Sequence, residues 1–153
     1  SHDLGEESCG LHVHVSRNYL SPYKWLLIDW FISKYQDKFE VIARRKETHW
    51  ARFKKSNGLP VKDVYGKSNG TRYQAVNFEN RNTVEFRLFR GTLNFSTFMA
   101  TLEIVDALVH WARQLSISDI LASKDAFRNF TDYIRSNSLY ENAVNYLNDK
   151  ELI

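Results

Sequence analysis

The chain has 153 residues with a net charge of +3, and 43% of them are hydrophobic and 14% aromatic. This size and composition predict one globular domain (1–153) with a sizeable core and exclude an intrinsically disordered chain. No apolar run approaches the roughly 18 residues of a membrane span, and the first residues lack a signal-peptide pattern. Cys9 is the single cysteine, so an internal disulfide is impossible and we expect a cytoplasmic protein with no membrane partner.

The first predicted element is a short strand, 11–16, in which polar and apolar residues alternate. Side chains two positions apart in a strand point in the same direction. His12, His14 and Ser16 are therefore predicted to share one face, and the apolar residues between them the other.

A helix is predicted next, because Ser21 and Pro22 are a typical N-cap and first helical residue. Apolar and aromatic residues then recur at helical spacing as far as Phe39, with Asp29 on the solvent side. The pattern indicates one amphipathic helix whose aromatic residues lie in the core.

The segment 44–72 is strongly basic, with nine lysines and arginines against two acidic residues. Its turn-forming residues predict a long loop, with a short helix around Glu47 to Lys55. Two interpretations remain open. The segment is either a solvated loop or a surface for an anionic partner such as nucleotide phosphates, nucleic acid or an acidic protein.

A hairpin is predicted from a strand at 72–78, a turn at 80–82 and a second strand at 83–90. The second strand alternates again, and its polar residues are predicted to share one face: Arg81, Thr83, Glu85 and Arg87. Arg90 falls on the apolar side of this alternation, where we expect it to cap the strand end or to contact a helix.

A long helix is predicted from about Phe95 to Leu115, followed by two or three short helices from Asp119 onward. The predicted buried stripe of the long helix includes Phe98, Met99 and Leu102. Antiparallel strands with helices packed on one face indicate an α+β domain, with a core at 8–115 and a helical C-terminal extension at 116–153.

The polar faces of the two alternating strands carry the residue types of a phosphate-handling site. An imidazole and a carboxylate together can bind a divalent metal ion, so His12 and Glu85 are candidate ligands if their strands are neighbours. Arg87, two residues beyond Glu85, offers a planar guanidinium fork to a phosphate or carboxylate. The alternative is a surface ion pair between Arg87 and Glu85 beside two half-exposed strand histidines.

Two stretches, Cys-Gly-Leu-His-Val-His-Val-Ser at 9–16 and Asn-Thr-Val-Glu-Phe-Arg-Leu-Phe-Arg-Gly-Thr at 82–92, resemble the amidoligase family. This family is related to glutamine synthetase and glutamate–cysteine ligase and is common in phages and bacterial gene clusters. The resemblance covers roughly 8–115. It implies a glutamine-synthetase-like antiparallel sheet whose polar face carries metal-bound ATP. It also implies activation of a carboxylate as an acyl phosphate, followed by attack of an amine.

The resemblance further implies roles for individual residues. His12 and Glu85 match metal ligands for Mg²⁺ or Mn²⁺, His14 lies near the nucleotide phosphates, and Arg87 matches the arginine that binds a substrate carboxylate or phosphate. By position, three more residues are implied as phosphate or substrate contacts: Arg72, Asn77 and Arg81. The substrates would be a small-molecule or peptide carboxylate and an amine.

One family feature is missing, an early strand with paired acidic metal ligands of the Gly-x-Glu-x-Glu type, which nothing in residues 1–9 replaces. Either that strand lies upstream in a longer protein, or the chain is a shortened relative that no longer catalyses. The first hypothesis is therefore an ATP-dependent carboxylate–amine ligase or a fragment of one. The alternative is a catalytically inactive amidoligase-like binding protein, for example a phage-encoded inhibitor that engages nucleic acid or a nucleoprotein through 44–72.

Overall fold

The computed structural model describes residues 9–48, 51–53 and 72–153. Their helices and strands in chain order are β1 (Gly10–Ser16), α1 (Pro22–Lys34), α2 (Gln36–Ala43), β2 (Val76–Asn77), β3 (Thr83–Arg90), α3 (Phe95–Gln114), α4 (Ile117–Ala122), α5 (Ala126–Arg135) and α6 (Glu141–Asp149). Short 3₁₀ turns follow β1 and precede α6. A small antiparallel sheet with helices packed against it confirms the predicted α+β class and the helical C-terminal region.

The three described strands are antiparallel in the order β1-β3-β2. The predicted hairpin pairing of β2 with β3 is confirmed. The condition set for the candidate site is also met, because β3 lies between the histidine strand β1 and its hairpin partner. The predicted strand at 72–78 is wrong in extent, since β2 contains only Val76 and Asn77. Before β2, Gln74 makes an isolated parallel bridge with Arg52 instead of pairing with β3.

A β-bulge interrupts the pairing of β1 with β3. Leu11 pairs with Phe89 and Val13 with Phe86, so His12 alone lies opposite the two residues Arg87 and Leu88. Beyond the bulge, Phe89 shares the core face with Leu11, because cross-strand partners lie on the same face. The placement of Arg90 on the apolar side is therefore wrong: it pairs with Gly10 and lies on the polar face.

The core lies under the apolar face of the sheet, where Val84, Phe86 and Phe89 are fully buried. The predicted single helix is two helices, because Tyr35 leaves helical geometry (φ −109°, ψ 38°) and separates α1 from α2. Asp29 is buried, not solvent-facing as expected.

Helix α3 packs against α1, α5 and α6, and its predicted bounds are confirmed to within one residue. Its predicted stripe is partly wrong, since Phe98, Met99 and Leu102 are only half-buried. The buried face is formed instead by residues such as Ile104, Leu108 and Trp111. The C-terminal helices contribute to the same core, through side chains such as Phe130 and Leu147.

Much of the basic segment 44–72 falls outside the described residues. In the part that is described, the expected helix at Glu47–Lys55 is wrong, because Thr48 and Ala51 form an antiparallel bridge and Arg52 bridges to Gln74. Within the described ranges, no helix combines the length and the apolar composition needed to cross a membrane.

Candidate functional site

The Glu85 carboxylate is the centre of the polar face of the sheet. Its side chain is only 7% exposed, and groups from all three strands surround it. Nδ1 of His12 on β1 lies 2.8 Å from Oε1. Nδ2 of Asn77 on β2 donates to Oε2 at 2.8 Å. The pairing of β1 and β2 with opposite sides of β3 produces this convergence, since His14 and Asn77 are both register partners of Glu85.

Arg87 provides the counter-charge for Glu85. Its Nη1 lies 3.2 Å from Oε1 and 3.4 Å from Oε2 of the carboxylate, and its side chain is 16% exposed. Its Nε is buried and has no hydrogen-bond partner among the described residues. Buried donors in folded proteins are nearly always paired, so this guanidinium retains capacity for a further acceptor.

These contacts lower the pKa of Glu85. Burial is the largest single influence and acts to raise it, but the hydrogen bond from Asn77 and the charge of Arg87 together outweigh burial. His12 and His14 act in the same direction as Arg87. The carboxylate is therefore ionised at neutral pH and accepts hydrogen bonds from its neighbours.

His12 is held in one orientation by Glu85. Because an ionised carboxylate only accepts, Nδ1 of His12 carries the proton of the 2.8 Å contact. Burial, assisted by the charge of Arg87, holds the pKa of His12 below its ordinary value of 6.5, although Glu85 partly offsets both. The ring is thus neutral at neutral pH, and its Nε2 lone pair lies beside the backbone of Gly10.

Three polar groups that were not predicted as site residues also belong to this face. Thr83 Oγ1 lies 3.0 Å from Nδ1 of His14, whose Nε2 is 3.7 Å from Glu85. A Cβ placed on Gly10 would lie 3.3 Å from Nη1 of Arg45. Arg90 is the third group, brought onto this face by the bulge. The alternation of β3 placed Thr83 on this face, but no local pattern signals Arg45, and the bulge carries no glycine or proline.

The structure brings together five of the seven predicted site residues, namely His12, His14, Asn77, Glu85 and Arg87. Arg72 and Arg81 are exposed, and neither side chain contacts this group within the described part of the chain. The Arg72 side chain lies over the ring of Tyr73. Arg81 precedes Glu85 by four residues, about 13 Å at the rise of a strand. Their predicted phosphate contacts stay predictions.

The donor set on this face does not by itself form a metal site. Among the described residues, no group of three histidine, cysteine, aspartate or glutamate side chains is arranged to hold a metal ion. Both Glu85 oxygens already accept hydrogen bonds from Asn77, Arg87 or His12, so a cation there would have to displace donors and lie beside a guanidinium. The assignment of His12 and Glu85 as metal ligands stays a prediction.

The described basic residues of 44–72 are partly committed to the fold. Arg44 donates to the carbonyl of Arg90 at 2.5 Å and lies over the ring of Tyr146. Four of the other eight basic residues of the segment lie outside the described ranges. Binding of nucleic acid or a nucleoprotein through this segment therefore stays a prediction.

Comparison of the chain with models of protein families, with curated proteins and with solved structures found no match in any of the three. The amidoligase resemblance consequently rests on the two sequence stretches alone.

Proposed function

We propose that this chain supplies the anion-binding face of an ATP-dependent carboxylate–amine ligase. The observation that carries the proposal is Arg87, a largely buried guanidinium held on a polar sheet face by Glu85 while its buried Nε has no described partner. An oxygen of a phosphate or carboxylate is the acceptor that fits such a fork. The open histidines beside it supply further hydrogen bonds.

In the proposed reaction, a substrate carboxylate oxygen attacks the terminal phosphorus of ATP and ADP leaves, which yields an acyl phosphate. A neutral amine then attacks the acyl carbon, phosphate leaves and the amine nitrogen loses a proton, which yields the amide. Negative charge is concentrated at the transferred phosphoryl group during both steps. Arg87 and the imidazole of His14 offset that charge from positions fixed before the substrate arrives.

Glu85 has a positioning role in this proposal. It is too enclosed by Asn77, Arg87 and His12 to be the activated carboxylate itself. Its part is to fix the orientations of the guanidinium and of the His12 ring, in the way that buried carboxylates fix the groups that touch a reactant. Asn77 in turn holds Glu85 through its hydrogen bond. In this proposal Asn77, predicted as a substrate contact, therefore positions Glu85.

Calorimetric titration of the chain with ATP, with and without Mg²⁺, tests the proposal. We expect saturable binding that weakens at least about tenfold in Arg87→Gln, a change of about 1.4 kcal/mol in binding free energy. His14→Ala is the second variant, because His14 is nearly half exposed and its removal leaves the fold intact. The matched control is Arg135→Gln, an exposed arginine on α5.

Three outcomes would contradict the proposal. These are an absence of binding, binding unchanged in both Arg87→Gln and His14→Ala, or binding weakened equally by Arg135→Gln. His12→Ala and Glu85→Ala extend the test to the two predicted metal ligands. If these residues bind Mg²⁺, ATP affinity should no longer depend on Mg²⁺ in either variant. Formation of ADP that requires both a carboxylate and an amine would extend the result from binding to catalysis.

A further inference from the structure

A cavity of about 520 Å³ lies at one end of the polar face, between the last turn of α2, the residues that follow it and the end of β3. Its volume falls within the range of small-molecule sites. It adjoins the anion-binding face because Arg90, in its wall, pairs with Gly10, and because Arg45, also in its wall, lies beside His12 and Gly10. No other site described above includes it.

The cavity wall carries charges of both signs that do not neutralise one another. Arg90 and Lys46 contribute positive charge, and Glu40 and Glu47 contribute carboxylates. Among the described residues, neither the Arg90 guanidinium nor the Lys46 ammonium lies within 4.0 Å of a carboxylate oxygen. The charges of Arg90 and Lys46 are therefore not neutralised by an ion pair within the described residues.

The Glu40 carboxylate in the wall is held in place by hydrogen bonds, and one of its oxygens can accept more. Oε1 of Glu40 accepts two hydrogen bonds, one from the side-chain amide Nε2 of Gln36 at 2.8 Å and one from the backbone amide of Glu47 at 3.1 Å. Its Oε2 accepts no hydrogen bond from a described residue. Oγ1 of Thr48, also in the wall, is buried and likewise has no partner in the described part of the chain.

Contacts of Arg44 fix the position of Arg90 in the cavity wall. Arg44 adopts the left-handed conformation (φ 57°, ψ 29°), which is uncommon for a residue other than glycine. Its guanidinium donates to the carbonyl of Arg90 at 2.5 Å and to the hydroxyl of Tyr146 at 3.4 Å. These contacts hold the end of β3 against α2 and α6, so Arg90 and the residues after Arg44 occupy defined positions.

We propose that this cavity binds a ligand carrying both a carboxylate and an ammonium group, with the carboxylate at Arg90 and the ammonium at Glu40. Free amino acids and short peptides share this chemistry. The inference rests on the proposed function, because the ligand would be one of the two substrates joined at the adjoining face. Gly10 keeps the passage open, since a Cβ there would lie 3.0 Å from Nε2 of His12.

Two-dimensional NMR titration of the isotopically labelled full chain tests the proposal. The probes are L-alanyl-L-alanine, L-alanine, N-acetyl-L-alanyl-L-alanine and L-alanyl-L-alaninamide. We expect the first or second to bind with a Kd of about 1 mM, with shifts confined to the residues around Arg90 and Glu40. The comparison of dipeptide with amino acid identifies the source of the ligand. Acetylation and amidation should each weaken binding at least about tenfold.

The variants are Arg90→Gln and Glu40→Gln, each expected to weaken binding at least about tenfold. Glu40→Gln retains a carbonyl oxygen that accepts from the Glu47 amide, so the wall keeps its shape. Arg135→Gln is the matched control and should bind as the unmodified chain does. A far-ultraviolet circular dichroism spectrum identical to that of the unmodified chain verifies folding.

Three outcomes would overturn the inference. Neither unmodified probe binds, acetylation and amidation leave the affinity unchanged, or both variants bind as the unmodified chain does. ATP binding measured on the same samples separates this failure from failure of the proposed function. ATP binding that depends on Arg87 without any probe binding would overturn only the cavity assignment.

Discussion

The pairing of Glu85 with Arg87 predicts a strong energetic coupling that a double-mutant cycle can measure. The two side chains are 7% and 16% exposed, and their closest contact is 3.2 Å. At an effective dielectric constant of about 20, the gross attraction at this distance is about 5 kcal/mol. Desolvation of both groups offsets part of it, so we expect a coupling of about 2 kcal/mol.

The cycle compares Glu85→Gln, Arg87→Met and the double variant by urea denaturation. Glu85→Gln alone should lower the free energy of unfolding by about 3 kcal/mol, because it leaves a largely buried guanidinium without a counter-charge. In the Arg87→Met background the same substitution should cost only about 1 kcal/mol. The slope of the free energy against urea should stay constant across the set, which verifies two-state behaviour.

The matched control is the same cycle on Asp132 and Arg135, an exposed pair whose atoms lie 3.9 Å apart. We expect a coupling of at most about 0.5 kcal/mol there, as for other solvent-exposed ion pairs. A coupling between Glu85 and Arg87 no larger than that of the control would refute the reasoning, since the carboxylate would then not be the anchor of the guanidinium.

Three further predictions concern stability. The ammonium of Lys24 donates to three carbonyls at the end of α3, those of Ala112, Arg113 and Leu115. Lys24→Met should therefore lower the free energy of unfolding, measured by urea denaturation, by about 2 kcal/mol. The exposed control Lys124→Met should change stability by less than about 0.5 kcal/mol, and equal losses would contradict the capping role. In the folded chain burial lowers the pKa of His12, and the hydrogen bond from Asn77 and the charge of Arg87 lower that of Glu85 against the effect of burial. The free energy of unfolding should therefore decline as the pH falls below 6.5 for His12 and below 4.5 for Glu85. A urea midpoint that does not move on acidification, or that moves equally in Glu85→Gln, would exclude this origin. Glu103 accepts a hydrogen bond from the backbone amide of Ala143, in the first turn of α6, at 2.8 Å. Glu103→Ala should therefore lower the free energy of unfolding by about 1 kcal/mol and accelerate hydrogen exchange in α6. Unchanged exchange would mean that this contact does not stabilise α6.

The alternation of β1 and β3 was sufficient to predict that His12 and Glu85 share a face. That rule fails where pairing is irregular, and Arg90 shows why: the sequence Phe-Arg-Leu-Phe at 86–89 contains no residue that marks a bulge. Register is a property of two strands together, so neither strand alone reveals it.

The helical errors have a similar origin. In α3, apolar residues occur on more than one side of the first turns, and spacing alone does not say whether Phe98 or Ile104 faces the core. The break at Tyr35 involves neither glycine nor proline, and tertiary packing overrides local propensity there. The guanidinium of Arg45 lies close to Gly10, which is 35 residues away in the sequence, and only the folded chain contains this proximity.

The extra residue in β3 makes strand length a determinant of chemistry. Arg90 lies five residues beyond Glu85, an odd count that in a regular strand would turn the Arg90 head group toward the hydrocarbon interior, and the extra residue at the bulge keeps it on the polar face. The spacing between the guanidinium at Arg87 and the one at Arg90 is thus encoded by how many peptide units separate them. A chain that retains both arginines and the five-residue separation but pairs β3 with β1 without a bulge should therefore lose the cavity's cation while keeping the neighbouring one.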